Sequence, residues 1–190
     1  MAKAKARAKA KARAKAKARP APKAKARPAK VEPVPKGYHT ITPVLTVGNG
    51  AEAIEFYKKA FGAVELFKMT GPDGRSIAHA ELKIGDSTFM LGDEAPERNC
   101  RSPQSLNGTP VAFYLYVPDV DGAWKRAVAG GCAITMPLSG MFWGDRCGQV
   151  SDPYGHRWTI ASHVEDVSPE ECELRAAKAM AQPATEPVPT

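Results

Sequence analysis

The sequence predicts an α+β fold built from two tandem βαβββ modules that form a concave mixed sheet, followed by a C-terminal helix. Three observations carry this prediction. The 190-residue chain matches itself at an offset of 70 residues, so that stretch 41–47 lies over 111–117 and stretch 88–91 over 158–161. Each copy reads as one strand, one helix and three further strands. Turn sequences rich in Gly, Pro and Asp separate the elements.

The first module is predicted at about residues 38–95. A strand at about 40–47 comes before a helix at about 50–61, which places apolar residues at helical spacing and stops at Gly62. Three strands follow, at about 63–70, 76–84 and 87–92. The turns Gly71-Pro-Asp-Gly74 and Gly85-Asp86 separate these strands.

The second module, at about residues 108–166, repeats the pattern. A strand at about 110–117 is followed by a helix at about 120–129, which Gly130-Gly131 ends, and by strands at about 132–137, 147–152 and 156–163. Ser168-Pro-Glu-Glu171 then has the form of a capping box and opens a helix in the C-terminal segment 167–190. The globular domain is therefore expected at residues 37–166.

Residues 1–36 form a separate basic arm. Residues 1–30 hold 13 of the 27 Lys and Arg residues and no acid, whereas the rest of the chain holds 14 basic and 20 acidic side chains, a net charge of −6. Ala alternates with Lys or Arg, and no apolar face is available, so we expect the arm to be disordered. Its composition resembles the Lys/Ala/Pro-rich tails of linker-histone-like proteins. We expect residues 2–30 to bind DNA, RNA or polyphosphate non-specifically, or else to be a solvated tail without a dedicated partner.

The remaining composition indicates a cytoplasmic protein, with nucleoid association as an alternative that the arm raises. The four Cys residues show no Cys-x-x-Cys spacing, which favours reduced thiols over a disulfide or zinc set. No apolar run approaches the roughly 18 residues needed to span a bilayer, and the N-terminus lacks the apolar segment of a secretory signal. No membrane partner is expected.

Several motifs resemble those of one known superfamily. They include 53–62 (Ala-Ile-Glu-Phe-Tyr-Lys-Lys-Ala-Phe-Gly), Phe142-Trp-Gly-Asp-Arg146, Asp152-Pro-Tyr-Gly-His-Arg-Trp158 and Ala161-Ser-His163. Together with the βαβββ repeat, they are similar to PhnB-like members of the vicinal oxygen chelate superfamily, which includes glyoxalase I, bleomycin-resistance proteins and extradiol dioxygenases. The resemblance covers about residues 38–175 and implies a homodimer, with exchanged modules as one arrangement. The arm lies outside it.

The superfamily holds a metal with four His- or Glu-type ligands on the first and last strands of the modules. Repeat symmetry places these positions at Thr42, Phe89, Ala112 and Thr159, and a shift of one residue replaces Phe89 with Met90. None of these side chains supplies an imidazole or a carboxylate. We therefore expect no metal and no other cofactor.

Strand parity then selects the residues of a polar cavity. His79 and Glu81 share one strand face and are candidates for a general base and its orienting partner, or for a merely hydrogen-bonded strand pair. The candidate ligand-binding residues are Tyr114, Tyr116, Trp143, Arg146, Gln149 and Thr159. An arginine at the mouth could clamp an anion, although a surface pair with Asp145 is an equal alternative.

Three functions follow from these residues. The first is a PhnB-like protein, similar to glyoxalase and bleomycin-resistance proteins, that binds a small molecule without the usual metal. The second is a lyase or isomerase of the same fold, with glyoxalase-like chemistry, that uses His79 and Glu81. The third is a domain that the basic arm tethers to nucleic acid.

Overall fold

The fold is that of two βαβββ modules, as the repeat predicted. A computed structural model describes residues 31–181, which leaves most of the basic arm outside the described residues. The first module contains β1 (Val44–Val47), α1 (Gly50–Phe61), β2 (Val64–Thr70), β3 (Ile77–Ile84) and β4 (Ser87–Asp93). The second contains β5 (Ala112–Tyr116), α2 (Val120–Gly130), β6 (Ala133–Gly140), β7 (Asp145–Ser151) and β8 (Arg157–His163). Helix α3 (Pro169–Ala181) follows.

Each module forms its own four-stranded mixed sheet. The strand order is β1-β4-β3-β2 in the first sheet and β5-β8-β7-β6 in the second. The first and last strands of each module pair in parallel, and the other pairs are antiparallel. None of the helices within residues 31–181 is long and apolar enough to cross a membrane.

Local capping explains where the helices begin. The Asn49 side chain accepts a hydrogen bond from the Glu52 amide at 3.2 Å, and the Asp119 side chain accepts one from the Gly122 amide at 2.9 Å. These bonds satisfy amides that the first helical turn leaves without partners. The predicted cap of α3 is confirmed, since the Glu171 amide donates to the Ser168 hydroxyl at 3.2 Å.

Two predicted strand starts were too early. Strand β1 begins at Val44 rather than near 40, and β5 begins at Ala112. Strand parity, if extended back to these predicted starts, places Ile41 and Val111 on the core face, but both side chains are exposed. Alternation between the two faces holds only where the chain is paired in a sheet, and these residues precede the pairing.

One contiguous apolar core lies on the helix-facing sides of both sheets. Helices α1 and α2 pack against each other and join the modules. Buried Asp152, in the turn before β8, links them further: its Oδ2 accepts hydrogen bonds from the Tyr57 hydroxyl at 2.8 Å and from the Trp158 indole at 3.0 Å. Its Oδ1 accepts the Tyr154 and His156 amides, both at 2.9 Å. A buried carboxyl group with four donors has its hydrogen-bonding capacity satisfied.

The sequence repeat is out of register by one residue in the last strands. Val44 pairs with Met90, and Tyr114 pairs with Thr159, so Met90 is the structural equivalent of Thr159. The assignment of Phe89 to that position was wrong. Phe89 is buried on the helix side, where its ring packs edge-on against Tyr57. The stretch from Tyr114 to Gln149 is two residues shorter than its counterpart from Val44 to Glu81. The turn before β8 is one residue longer than the turn before β4, which leaves a net shift of one residue.

Candidate functional site

A polar cluster centred on Asp145 lies on the face of the second sheet that points away from the helices. Asp145 begins β7 and pairs across the sheet with His163, the last residue of β8. Arg146, the residue after Asp145, points to the other face of the sheet. Val150 on that same face is buried in the core, so Asp145 points away from the core. Asp145 is only 3% exposed. A carboxylate this buried requires hydrogen-bond donors around it.

Three aromatic side chains supply those donors to a single carboxylate oxygen. The hydroxyls of Tyr114 and Tyr116 donate to Asp145 Oδ2 at 2.8 and 2.9 Å, and the indole of Trp143 donates to the same oxygen at 3.1 Å. His163 Nδ1 donates to Oδ1 at 2.9 Å. We call these five residues the Asp145 cluster. The structure thus brings together three of the predicted ligand-binding residues, Tyr114, Tyr116 and Trp143.

The cluster carries an ionised carboxylate. Burial opposes ionisation of Asp145, but the hydrogen bonds from His163 and the three aromatic donors outweigh it and hold the pKa of the carboxyl below its usual range. Burial and the bond to Asp145 raise the pKa of the Tyr114 hydroxyl, and the bond to Asp145 raises that of Tyr116. Both tyrosines therefore remain protonated donors at neutral pH, so their hydroxyls stay directed at Asp145.

Gly144 positions His163 against Asp145. The Gly144 carbonyl accepts the amides of Val164 at 2.9 Å and Glu165 at 3.0 Å, which ties the chain after β8 to the hairpin between β6 and β7. A Cβ on Gly144 would collide with the Glu165 carbonyl oxygen, and its φ of +96° is a conformation that favours glycine.

Gly144→Ala is therefore expected to destabilise the protein by at least about 1 kcal/mol and to separate His163 from Asp145. Urea unfolding measures the first effect, and the His163 ring shift in an NMR spectrum measures the second. Gly140→Ala is the matched control on the same hairpin, because its added Cβ meets no atom within 4 Å. Equal stability of the two variants would contradict this role of Gly144.

His163 makes the cluster sensitive to pH. Hydrogen bonds to Asp145 and to Asp166, the latter at 3.0 Å, raise the pKa of the His163 imidazole above its ordinary value. A raised folded-state pKa contributes stability that is fully present below the unfolded pKa and is lost as pH rises through the folded pKa. His163→Gln should thus lower stability most near about pH 5.5 and least near about pH 8.5. Urea unfolding at both pH values tests this, and a difference that grows with pH would contradict it.

Gln149, Thr159 and Cys147 extend the same sheet face away from Asp145. Thr159 pairs directly with both Tyr114 and Gln149, and it is buried beneath its neighbours. Gln149 is half-buried. Cys147 is buried, and burial raises the pKa of its thiol, so the unreactive protonated form is favoured. These residues form a polar floor beside the cluster.

Arg146 lies apart from the cluster. Its guanidinium forms a bidentate pair with Asp121 of α2, with Nη2–Oδ1 at 2.7 Å and Nε–Oδ2 at 3.2 Å. The alternative surface pair between Asp145 and Arg146 does not form, because adjacent strand residues point to opposite faces. The predicted anion clamp would require Arg146 to leave Asp121.

His79 and Glu81 lie on β3 of the first module, side by side. His79 Nε2 lies 3.3 Å from Glu81 Oε1, and both side chains are partly exposed. A hydrogen bond from Tyr38 and the contact with His79 hold the pKa of Glu81 below its usual range, and the same carboxylate raises the pKa of Tyr38 to about 12. The pair is thus a carboxylate with two donors, which is a geometry able to orient an imidazole.

The four positions at which the superfamily binds metal do not fit a first-row metal ion. With the corrected register they hold Thr42, Met90, Ala112 and Thr159. Methyl, hydroxyl and thioether groups do not replace the imidazole and carboxylate ligands that such sites use. Within residues 31–181, no group of three or more His, Cys, Asp or Glu side chains is arranged to hold a metal.

A separate cleft of about 810 Å³ opens between β1 and β5 on the helix-facing side. Its walls are mainly apolar and include Leu45, Phe61, Phe113, Leu115 and Trp158, with Arg126 and Asp119 among the polar lining residues. Tyr114 and Tyr116 also line this cleft, so it borders the donor array around Asp145.

The sequence prediction missed Asp145 and His163 as members of one site. Parity on β7 does put Asp145 on the same face as Gln149, and parity on β8 puts His163 on the same face as Thr159. The signal was therefore present, but the register that pairs Asp145 with His163 depends on a non-local contact.

Relatives of known sequence share the domain. A Mycobacterium tuberculosis H37Rv protein, Rv0887c, is 43% identical over 136 residues, which are 70% of this chain and 79% of that protein. The Arabidopsis thaliana protein At5g48480 is 28% identical over 130 residues, 65% of this chain and 77% of its own.

Solved structures share the fold. The crystal structure of At5g48480 has a TM-score of 0.52 and 26% identity, and it covers 65% of this chain and 98% of its own. The crystal structure of TioX from Micromonospora sp. ML1 has a TM-score of 0.50 and 27% identity, and the match covers 65% of this chain and 99% of TioX. The structure of the PhnB protein from Bacillus cereus has a TM-score of 0.52 and 21% identity, and the match covers 65% of this chain and 99% of that protein. At this identity the likeness shows the fold alone.

The sequence profile of the Glyoxalase/Bleomycin resistance protein/Dioxygenase superfamily matches residues 38–160. That range contains the first βαβββ module and all of the second except the last three residues of β8, which include His163. The chain therefore belongs to the glyoxalase/bleomycin resistance/dioxygenase superfamily, as the motifs and the repeat predicted.

Proposed function

We propose that this protein binds a small molecule against the open face of the second sheet, at the Asp145 cluster. The observation that carries the proposal is a buried carboxylate whose three aromatic donors keep exposed surface. Tyr114, Tyr116 and Trp143 are 47%, 59% and 36% exposed. Small-molecule sites combine aromatic walls with a few fixed polar groups, and this face has both.

Hydrogen bonding makes the cluster a rigid platform. Each aromatic side chain is held at its polar end by Asp145, so little rotamer freedom is left to lose when a ligand packs on the rings. The rings of Tyr114 and Tyr116 lie 5.0 Å apart between centroids. They form a continuous apolar surface on which a flat or compact ligand can pack.

A ligand-observed NMR screen of small aromatic and amine compounds tests the proposal. Hits should lose saturation transfer with Tyr116→Ala and keep it with Leu174→Ala, which removes an equally exposed apolar side chain from α3. A screen without hits, or hits that are indifferent to Tyr116, would overturn the proposal.

The proposed binding does not use a resident metal. The support is that Thr42, Met90, Ala112 and Thr159, at the four metal positions of the superfamily, carry neither an imidazole nor a carboxylate. Elemental analysis of the purified protein should find less than stoichiometric divalent metal. One tightly bound ion per chain that resists dialysis would refute this part.

We also propose a homodimer in which a second copy covers the open face of the first sheet. Exposed apolar residues on the first module support it, among them Val44, Val64, Phe67 and Met69. Exposed apolar surface of this kind is typical of an interface. Light scattering after gel filtration should give a mass of twice the chain, and a monomer at micromolar concentration would contradict it.

A second candidate function is that of a lyase or isomerase with glyoxalase-like chemistry. The contact between His79 and Glu81 favours it, since the carboxylate can orient the imidazole as a base. Turnover of a 2-oxoaldehyde with a thiol should then fall at least about a hundredfold with His79→Gln. Lys83→Gln, on the same strand, is the control, and activity that survives His79→Gln would exclude this mechanism.

The basic arm supports a third candidate, tethering to nucleic acid. Residues 1–30 carry 13 cationic side chains, whereas the rest of the chain is acidic. Affinity for DNA should be independent of sequence and fall steeply with salt as counterions are released. Deletion of residues 1–36 should abolish it, and retained binding would refute the arm as the site.

A further inference from the structure

The Asp145 cluster also indicates which class of ligand it accepts, if the proposed function holds. Four hydrogen bonds use both oxygens of Asp145. A ligand thus meets the rings of Tyr114, Tyr116 and Trp143 rather than the carboxylate itself. The charge of Asp145 acts on the ligand through these three side chains.

Donation to a carboxylate makes the aromatic rings better partners for a cation. A phenol or indole that donates to an anion is polarised toward negative charge on its ring, as in other hydrogen-bonded chains. Because the hydroxyls of both tyrosines are directed at Asp145, their rings and the carboxylate form one electronegative surface. Rings of this kind attract ammonium and guanidinium groups by cation–π interaction.

The neighbouring charges leave this surface electronegative. Two arginines on adjoining elements are already paired, Arg146 with Asp121 and Arg175 with Glu165 and Glu171. Arg126 of α2 lines the neighbouring cleft, where the carboxylate of Asp119 is also among the lining residues. Arg157 lies at the opposite end of β8, about 20 Å from His163 along the strand. His163, between Asp145 and Asp166, is the one basic group within the cluster, and it faces two acids.

We infer that the group seated on Tyr114 and Tyr116 is an organic cation, an alkylated ammonium. The buried, ionised Asp145 provides the counter-charge, and the tyrosine and tryptophan rings provide the contact surface. A neutral group of the same shape gains the apolar contact alone, and an anion is repelled.

Choline and its uncharged isostere 3,3-dimethyl-1-butanol are the probes. The Trp143 indole N–H, assigned by comparison with Trp143→Phe, reports binding in a ¹⁵N-correlated NMR titration of the full chain. Choline should bind about fivefold more tightly than the alcohol. Asp145→Asn should remove the preference, whereas Asp121→Asn, which neutralises an exposed acid on α2, should keep it.

The outcomes separate this inference from the proposed function. Equal affinity of the two probes would overturn the cation class but leave a neutral small-molecule site. Binding of neither probe would count against both. If Asp145→Asn fails to fold, Tyr116→Leu replaces it, because it removes one exposed ring and one donor but keeps the carboxylate and its other three donors. A preference that survives Tyr116→Leu undiminished would also overturn the inference.

Discussion

Asp152→Ala is expected to lower the free energy of unfolding by about 3–5 kcal/mol, the range for a broken buried charged network. The change leaves the Tyr57 hydroxyl and the Trp158 indole without acceptors in the core. It also removes the acceptor for the amides of Tyr154 and His156, which set the turn before β8. Tyr57 and Trp158 are both buried, so water does not replace the lost acceptor.

Urea unfolding followed by circular dichroism measures this effect. Asp121→Ala is the control, because Asp121 is exposed and its pair with Arg146 lies at the surface. It should leave stability almost unchanged. A loss for Asp152→Ala no larger than that for Asp121→Ala would contradict the role of Asp152 in joining the two modules.

Asp145→Ala is expected to reduce ligand affinity at least about tenfold while costing less stability, about 1–2 kcal/mol. Its aromatic donors are exposed in part, so they can turn to water when the carboxylate is removed. Binding suffers more because Tyr114, Tyr116 and Trp143 lose the anchor that holds their rings. Asp152 thus stabilises the fold, whereas Asp145 organises the site.

To check this expectation, a compound from the NMR screen is titrated against the unaltered protein and against Asp145→Ala. Urea unfolding of the same two proteins measures the change in stability. Asp121→Ala provides the control, since it removes an exposed carboxylate that lies outside the cluster and should leave affinity almost unchanged. Unchanged affinity in Asp145→Ala would show that the cluster does not organise the site.

The sequence predicted local features well because local physics determines them. The bounds of α1 follow from Asn49 and Gly62, and strand parity correctly put Tyr114 and Tyr116 on the open face. These signals need only neighbouring residues and the periods of helix and strand.

The sequence prediction failed where a non-local pairing decides the outcome. Phe89 was misplaced because a constant repeat offset assumes equal spacing in both modules. The second module is two residues shorter between β5 and β7, and the longer turn before β8 restores only one of them. His163 joins Asp145 only because Gly144 lets the chain after β8 approach the hairpin. Neither the pairing register nor that close approach is visible in residue patterns along a single strand.

Chemical-shift mapping of a bound compound on the isotope-labelled protein is the most direct test of ligand binding at the Asp145 cluster. The perturbed signals should centre on Tyr114, Tyr116 and the Trp143 indole and extend to Cys147 and Gln149. Perturbations confined to the cleft around Phe61 and Trp158, or to His79 and Glu81 on β3, would contradict it.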